Sequence, residues 1–184
     1  HPGLRVLFVD DGSTDDTLGV LERLTRHEAR LDLLQLERNQ GKAEAVRQGI
    51  LRALDEGASL VGFWDADLAT PLAELPAFQR RLQEEPQVEM VLGSRVRMLG
   101  HTVLRDARRH YFGRVAATAV SLMLGLEVYD TQCGSKLFRS CDRVRGLFAE
   151  PFVTRWTFDV ELLARWLLDA SHAERSEVER YVVE

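Results

Sequence analysis

Cysteine is scarce in this chain, and an excess of basic charge and long apolar runs are absent with it. The two cysteines, Cys133 and Cys141, are too few for a disulfide framework and fit a reducing compartment, so a cytoplasmic location is expected. No histidine stands close to that pair, which makes it a poor zinc site. Lysine and arginine number 24 against 29 aspartates and glutamates, a formal net charge of -5. A nucleic-acid partner, which calls for a dense basic surface, is therefore not expected. The longest apolar stretch, residues 115–126, falls short of the ~20 residues that a spanning helix needs. No signal peptide is legible, since the chain opens His-Pro-Gly and runs into an apolar β-rich segment. Internal repeats, low-complexity tracts and Pro/Gly-rich linkers are missing as well. One domain over residues 1–184 is the expectation.

What is present is alternation. Apolar β-rich runs at residues 4–9, 31–36, 60–64 and 88–92 are separated by segments of helical spacing. Leu18, Leu21 and Leu24 mark the first helix, through about Glu28. Ala43, Val46, Ile50 and Leu54 mark the second, over residues 41–56, with Gly57 placed as its C′ residue. Residues 72–84 read as a third helix, and residues 157–170 as an amphipathic one carrying Phe158, Leu162, Leu163, Trp166 and Leu167. Residues 129–139 read as a loop and short strand, and residues 181–183 as the start of another. Strand and helix in alternation predict an α/β layered fold with a mostly parallel central sheet.

The most informative motif is Asp65-Ala66-Asp67, placed just after the apolar run Leu60, Val61, Phe63 and Trp64. Ligands of a parallel α/β sheet bind at the carboxyl ends of its strands. Two carboxylates one residue apart at such an end suit a hard divalent cation such as Mg²⁺. The competing reading is a solvated turn with Asp67 as a helix cap.

Other motifs stand in consistent positions. Asp10-Asp11-Gly12-Ser13-Thr14-Asp15 follows the first strand, Asn39-Gln40-Gly41-Lys42 opens the second helix, and Gly93-Ser94-Arg95 follows the fourth strand. With Asp65-x-Asp67, this order resembles the family 2 glycosyltransferases of GT-A, Rossmann-like three-layer fold. The runs Asp130-Thr131-Gln132-Cys133-Gly134-Ser135-Lys136-Leu137-Phe138 and Arg155-Trp156-Thr157-Phe158-Asp159-Val160-Glu161 narrow the resemblance to the dolichyl-phosphate β-glucosyltransferase branch and its polyprenyl-phosphate relatives. The family's first strand, ending in a Pro-x-Tyr-Asn-Glu-like segment, and its downstream tail are not in this sequence, so the resemblance implies a catalytic domain incomplete at both ends. Leu68 after the Asp-x-Asp and Ser135, where an aromatic residue is usual, depart from the pattern.

The resemblance implies an inverting transfer of a hexose, with UDP-glucose as favoured donor, to a polyprenyl or dolichyl phosphate. It implies a divalent cation, Mg²⁺ or Mn²⁺, held by Asp67 directly and by Asp65, which either shares the ion or bonds the ribose. Asp11 is expected to bind the nucleotide base with Asp10 supporting it; otherwise both cap the following helix. Lys42 is a diphosphate or base-edge neighbour, or a solvated lysine. Arg95 grips a phosphate or forms a surface ion pair. Arg105, Arg108 and Arg109 precede the apolar segment 115–126, either as an acceptor-phosphate site at the cytoplasmic membrane surface or as the solvated start of a core helix. The resemblance implies Asp130, Arg95 and Lys136 as the catalytic residues. Asp130 lies where many members carry a catalytic base, yet a phosphate acceptor arrives ionised, so Asp130 can instead position the acceptor or Lys136. Cys133, Trp156, Phe158, Leu162 and Trp166 read as packing residues, and Asp159 and Glu161 as acids paired to neighbouring arginines. Three rivals remain: a family 2 transferase acting on a saccharide hydroxyl, an inactive nucleotide-binding fragment, and a phospho-receiver domain, to which Asp10-Asp11 at a strand end bears a likeness.

Overall fold

The structure, a computed structural model, describes residues 3–93 and 133–169. Arg95, Arg105, Arg108, Arg109, Asp130, the apolar segment 115–126 and the strand expected at 181–183 lie outside the described residues. Strand β1 (Val6–Asp10) leads through α1 (Thr17–His27) to β2 (Leu31–Gln35), and the two strands pair in parallel with Val6 opposite Leu31 and Asp10 opposite Gln35. Next come α2 (Lys42–Asp55), β3 (Leu60–Trp64), a 3₁₀ turn (Leu72–Glu74), α3 (Leu75–Glu84) and β4 (Met90–Leu92). The second described stretch holds β5 (Ser135–Arg139), α4 (Asp142–Ala149) and α5 (Phe158–Asp169).

The α/β layering expected from the sequence is present, but in place of one mostly parallel sheet the described strands form two, a parallel pair β1-β2 and a three-stranded sheet β3-β5-β4 whose pairings are antiparallel. β5 lies between β3 and β4 and runs antiparallel to both, with Trp64 opposite Ser135 and Leu92 opposite Lys136. The reversal has a local consequence: the carboxyl ends of β3 and β4 meet the amino end of β5 at one edge. There Asp65 N donates to Gly134 O at 2.7 Å, and Gly93 N donates to Ser135 O at 2.9 Å.

Period-2 alternation divides the core between the two faces of this sheet. Phe138, Met90, Leu92 and Val61 pack with Ile50 and Leu54 of α2, Val144, Leu147 and Phe148 of α4, and Leu162, Leu163 and Trp166 of α5. Leu137 and Val91 face the other way, onto Leu82 and Phe78 of α3. Helices therefore cover both faces of β3-β5-β4. α4 escaped the sequence reading because it spans only eight residues with Gly146 inside; Val144, Leu147 and Phe148 are its buried stripe. Trp156, expected in the core, is 67% exposed, because it lies in the segment before α5, outside the helix's buried face. Phe158, Leu162, Trp166 and Cys133 are buried as expected.

Gly57 follows α2 at φ +79°, in the left-handed conformation of a C′ glycine. At the other end of α2, Glu44 binds Arg47 through two hydrogen bonds of 2.7 and 2.8 Å, and Arg47 Nη1 donates to the last carbonyls of α4, Phe148 O and Ala149 O. The Arg47 guanidinium holds the Glu44 carboxyl below its ordinary value of 4.5. A carboxylate depressed on folding stabilises the fold above its unfolded pKa and loses that contribution as pH falls through the folded one. Glu44→Gln is therefore expected to lower stability by about 1 kcal/mol at neutral pH. The difference from the parent should shrink as urea melts are repeated at pH values falling below 4.5.

Candidate functional site

Asp10, Asp11, Lys42, Asp65 and Asp67 come from three places that the fold draws together: the end of β1, the first turn of α2 and the end of β3. Asp10 is 3% exposed and its carboxylate accepts from the Ser13 backbone N–H at 3.3 Å and from the Ser13 hydroxyl. It shapes the loop after β1 and does not cap α1. Asp15 serves α1 instead, accepting from Thr17 N at 3.0 Å. The Thr17 hydrogen bonds hold the Asp15 carboxyl below the usual carboxylate range.

Asp11 reaches across to the approach of α2. Its oxygens accept from Gln40 N at 2.7 Å and Gly41 N at 2.8 Å, fixing the segment that precedes the helix. A carboxylate has about four lone-pair sites, so these two bonds leave acceptor capacity for a further N–H. Gly12 makes the crossing possible: at φ +70° it packs against the Arg38 and Asn39 backbone, where a Cβ would sit 2.7 Å from Asn39 N.

Arg155, legible beforehand only as part of a motif, clamps the same segment from outside. Its guanidinium donates to Gln40 O (3.0 Å), Asn39 O (3.1 Å) and Asn39 Oδ1 (2.8 Å), while its carbonyl accepts from Ala43 N (3.0 Å). Gly41, at φ +96°, leaves room for that side chain, since a Cβ there would stand 2.8 Å from Arg155 Cβ. The signal available in sequence was the pairing of Asn39-x-Gly41-Lys42 with an arginine at the head of the second family-like run.

Lys42 then links α2 to β3. Its ammonium lies 2.6 Å from Asp65 Oδ1 and 2.8 Å from Oδ2, with the two side chains 24% and 31% exposed. Asp67 is exposed, and among the described residues its hydrogen bond is to Ala69 N, at 3.0 Å. Leu68 between them sits at φ +52°, a left-handed conformation costing a leucine about 1–2 kcal/mol. The loop is anchored against that strain: Trp64 Nε1 donates to Thr70 O at 2.9 Å, and the Ser135 hydroxyl donates to Thr70 Oγ1 at 3.1 Å beside Cys133 Sγ. Ser135 is fully buried there, with Gly93 packed against its hydroxyl.

Lys136 is expected among the catalytic residues. It is 1% exposed, under the Phe63 ring, with its ammonium bound to Asp159 and, at 2.8 Å, to Cys133 O. Asp159 thus pairs with a lysine and not with an arginine; Glu161 does pair with Arg165, at 2.8 Å. No group of three or more metal-ligating side chains forms among the described residues. Asp65 and Asp67 are two carboxylates one residue apart, and Mg²⁺ commonly takes one or two carboxylates from a protein and its other ligands from phosphates and water.

Sheet, helices and strand-end carboxylates together define a GT-A glycosyltransferase fold. Glucosyl-3-phosphoglycerate synthase from Mycobacterium tuberculosis, solved in complex with UDP, superposes with a TM-score of 0.55 at 20% identity, covering 96% of this chain and 65% of that one. Residues 1–142 match the family model Glycosyl transferase family 2. The chain belongs to that family. A dolichyl-phosphate β-glucosyltransferase of Drosophila melanogaster is 35% identical over 168 residues, covering 86% of this chain and 49% of that protein. One from Trichomonas vaginalis is 31% identical over 162 residues, covering 86% and 47%. The chain thus spans about half the length of the curated relatives it matches. Among the described residues no helix is long and apolar enough to cross a membrane.

Proposed function

We propose that this chain is the catalytic domain of an inverting glycosyltransferase that moves glucose from UDP-glucose to a dolichyl or other polyprenyl phosphate. The observation that carries the reading is the hydrogen-bonded run Asp11, Gln40-Gly41, Lys42, Asp65 at the ends of β1 and β3, in a chain whose curated relatives are named for that transfer. Asp11 binds the nucleotide base through its remaining acceptor capacity, with Asp10 keeping the loop in shape. Asp67 would hold Mg²⁺ or Mn²⁺ with help from Asp65. When bound, the ion supplies Lewis-acid stabilisation of the departing diphosphate.

An acceptor phosphate oxygen attacks the anomeric carbon as the bond from that carbon to the UDP oxygen breaks, so configuration inverts in one displacement. The nucleophile is already ionised, and Asp130 positions it without taking a proton. Arg95 and Arg109 grip the acceptor phosphate by charge-assisted hydrogen bonds. The acceptor is then presented from the cytoplasmic membrane face, and residues 1–184 act as a single catalytic domain.

Transfer of labelled glucose from UDP-glucose into dolichyl phosphate, followed with a metal titration, tests this. Asp67→Asn is the informative variant, because asparagine keeps an oxygen to accept from Ala69 N and removes only the charge. It is expected to lower transfer by ~10²-fold or more with an unchanged melting temperature. Transfer into a saccharide and none into lipid, or turnover indifferent to metal and to Asp67→Asn, would overturn the proposal.

A further inference from the structure

Both oxygens of Asp65 are engaged by one ammonium, that of Lys42, at 2.6 and 2.8 Å. The carboxylate itself is fixed. It packs directly on Gly134, and its backbone N–H is held by Gly134 O at 2.7 Å. Lys42, in contrast, reaches from the first turn of α2 on a flexible four-carbon stem, its ammonium 6.0 Å from the centre of the Phe158 ring. Any rearrangement at Asp65 therefore falls to the lysine.

We propose that Lys42 serves as a stand-in cation on Asp65, making divalent-cation binding depend on the nucleoside diphosphate. A dication approaching Asp65 and Asp67 meets an ammonium already on both Asp65 oxygens, and the two positive charges repel. A diphosphate entering the site offers the ammonium oxygens of its own. Lys42 transfers to them, and Asp65 is released to the ion. Only hydrogen bonds are exchanged in this step. Diphosphate and metal thereby raise each other's affinity by one common factor. The inference rests on the proposed nucleotide-sugar reading of the site and adds an order to its filling.

Calorimetry on the full chain tests it, with MnCl₂ alone, UDP alone, and UDP at saturating MnCl₂. In Lys42→Gln, Mn²⁺ alone is expected to bind roughly 5-fold tighter or more than in the parent, and the mutual enhancement by UDP to fall towards one, couplings of this kind being typically 5–150-fold. Lys42→Arg keeps a cation and should stay near the parent. Lys42→Met keeps the apolar stem near Phe158 and gives the same readout should Lys42→Gln melt early. Mn²⁺ binding to both neutral variants no tighter than to the parent, or an undiminished enhancement by UDP, would overturn the stand-in role. Failure of UDP to bind the parent under any condition would instead strike the nucleotide-sugar reading. The Mn²⁺-alone comparison would then still decide the role of Lys42: tighter binding supports it and equal binding overturns it.

Discussion

Asp159→Ala is expected to destabilise the protein by about 3–5 kcal/mol, because it strands a buried ammonium. Lys136 and Asp159 are 1% and 2% exposed, and among the described residues the charge that Asp159 neutralises has the Cys133 carbonyl and the Phe63 ring left to face. Urea unfolding of parent and variant would read the loss directly. Replacing both partners with apolar residues, in Lys136→Met with Asp159→Leu, should recover most of it, since well-packed apolar pairs equal or exceed buried ion pairs in stability. A single variant within 1 kcal/mol of the parent would mean that water reaches the pair. The double variant also decides the part Lys136 plays. A lysine acting on substrate cannot be replaced by methionine without loss of turnover, whereas one that only ties β5 to α5 can.

The same pair shows where sequence reasoning reached and where it stopped. Asp65 and Asp67 could be singled out because they stand at a strand end that follows from local apolar periodicity, and Asp11 and Lys42 because their motifs resemble those of the family. β3 was placed at residues 60–64, and the structure has it at Leu60–Trp64. Partners distant in sequence were another matter. Nothing local says that Lys136 finds Asp159, 23 positions away, or that Arg155 closes on Asn39 and Gln40 across more than a hundred residues. The strand expected within residues 129–139 is there as β5, but its direction hid for the same reason: alternation of strand and helix announces parallel pairing, and a lone strand after a long intervening segment carries no mark of its direction. The exposure of Trp156 went the same way, since an aromatic near an amphipathic helix reads as core until the helix start is known.

Gly134→Ala is expected to disable the site as thoroughly as loss of a charged residue beside it. The added methyl would overlap the Asp65 carboxylate and lie 2.8 Å from Asp65 Cβ, and neither the β3 end nor the β5 start is free to retreat. Asp65 must then swing away, which breaks its pair with Lys42 and shifts the Asp67 loop. Displacements of about 1 Å at a reacting centre cost ~10²-fold in rate, so transfer should fall by at least that much, and UDP affinity in the presence of metal should fall with it. Overpacking at such a point also costs about 1–3 kcal/mol of stability. Gly57→Ala supplies the contrast. No atom lies within 4 Å of a Cβ built there, but φ is +79°, so that variant should lose about 1 kcal/mol through backbone strain and keep UDP binding intact. Calorimetry and urea melts on the two variants separate the effects, one steric and local to the site, the other conformational and remote from it. A Gly134→Ala protein that binds UDP and turns over like the parent would show that Asp65 moves without consequence, and would remove it from the site.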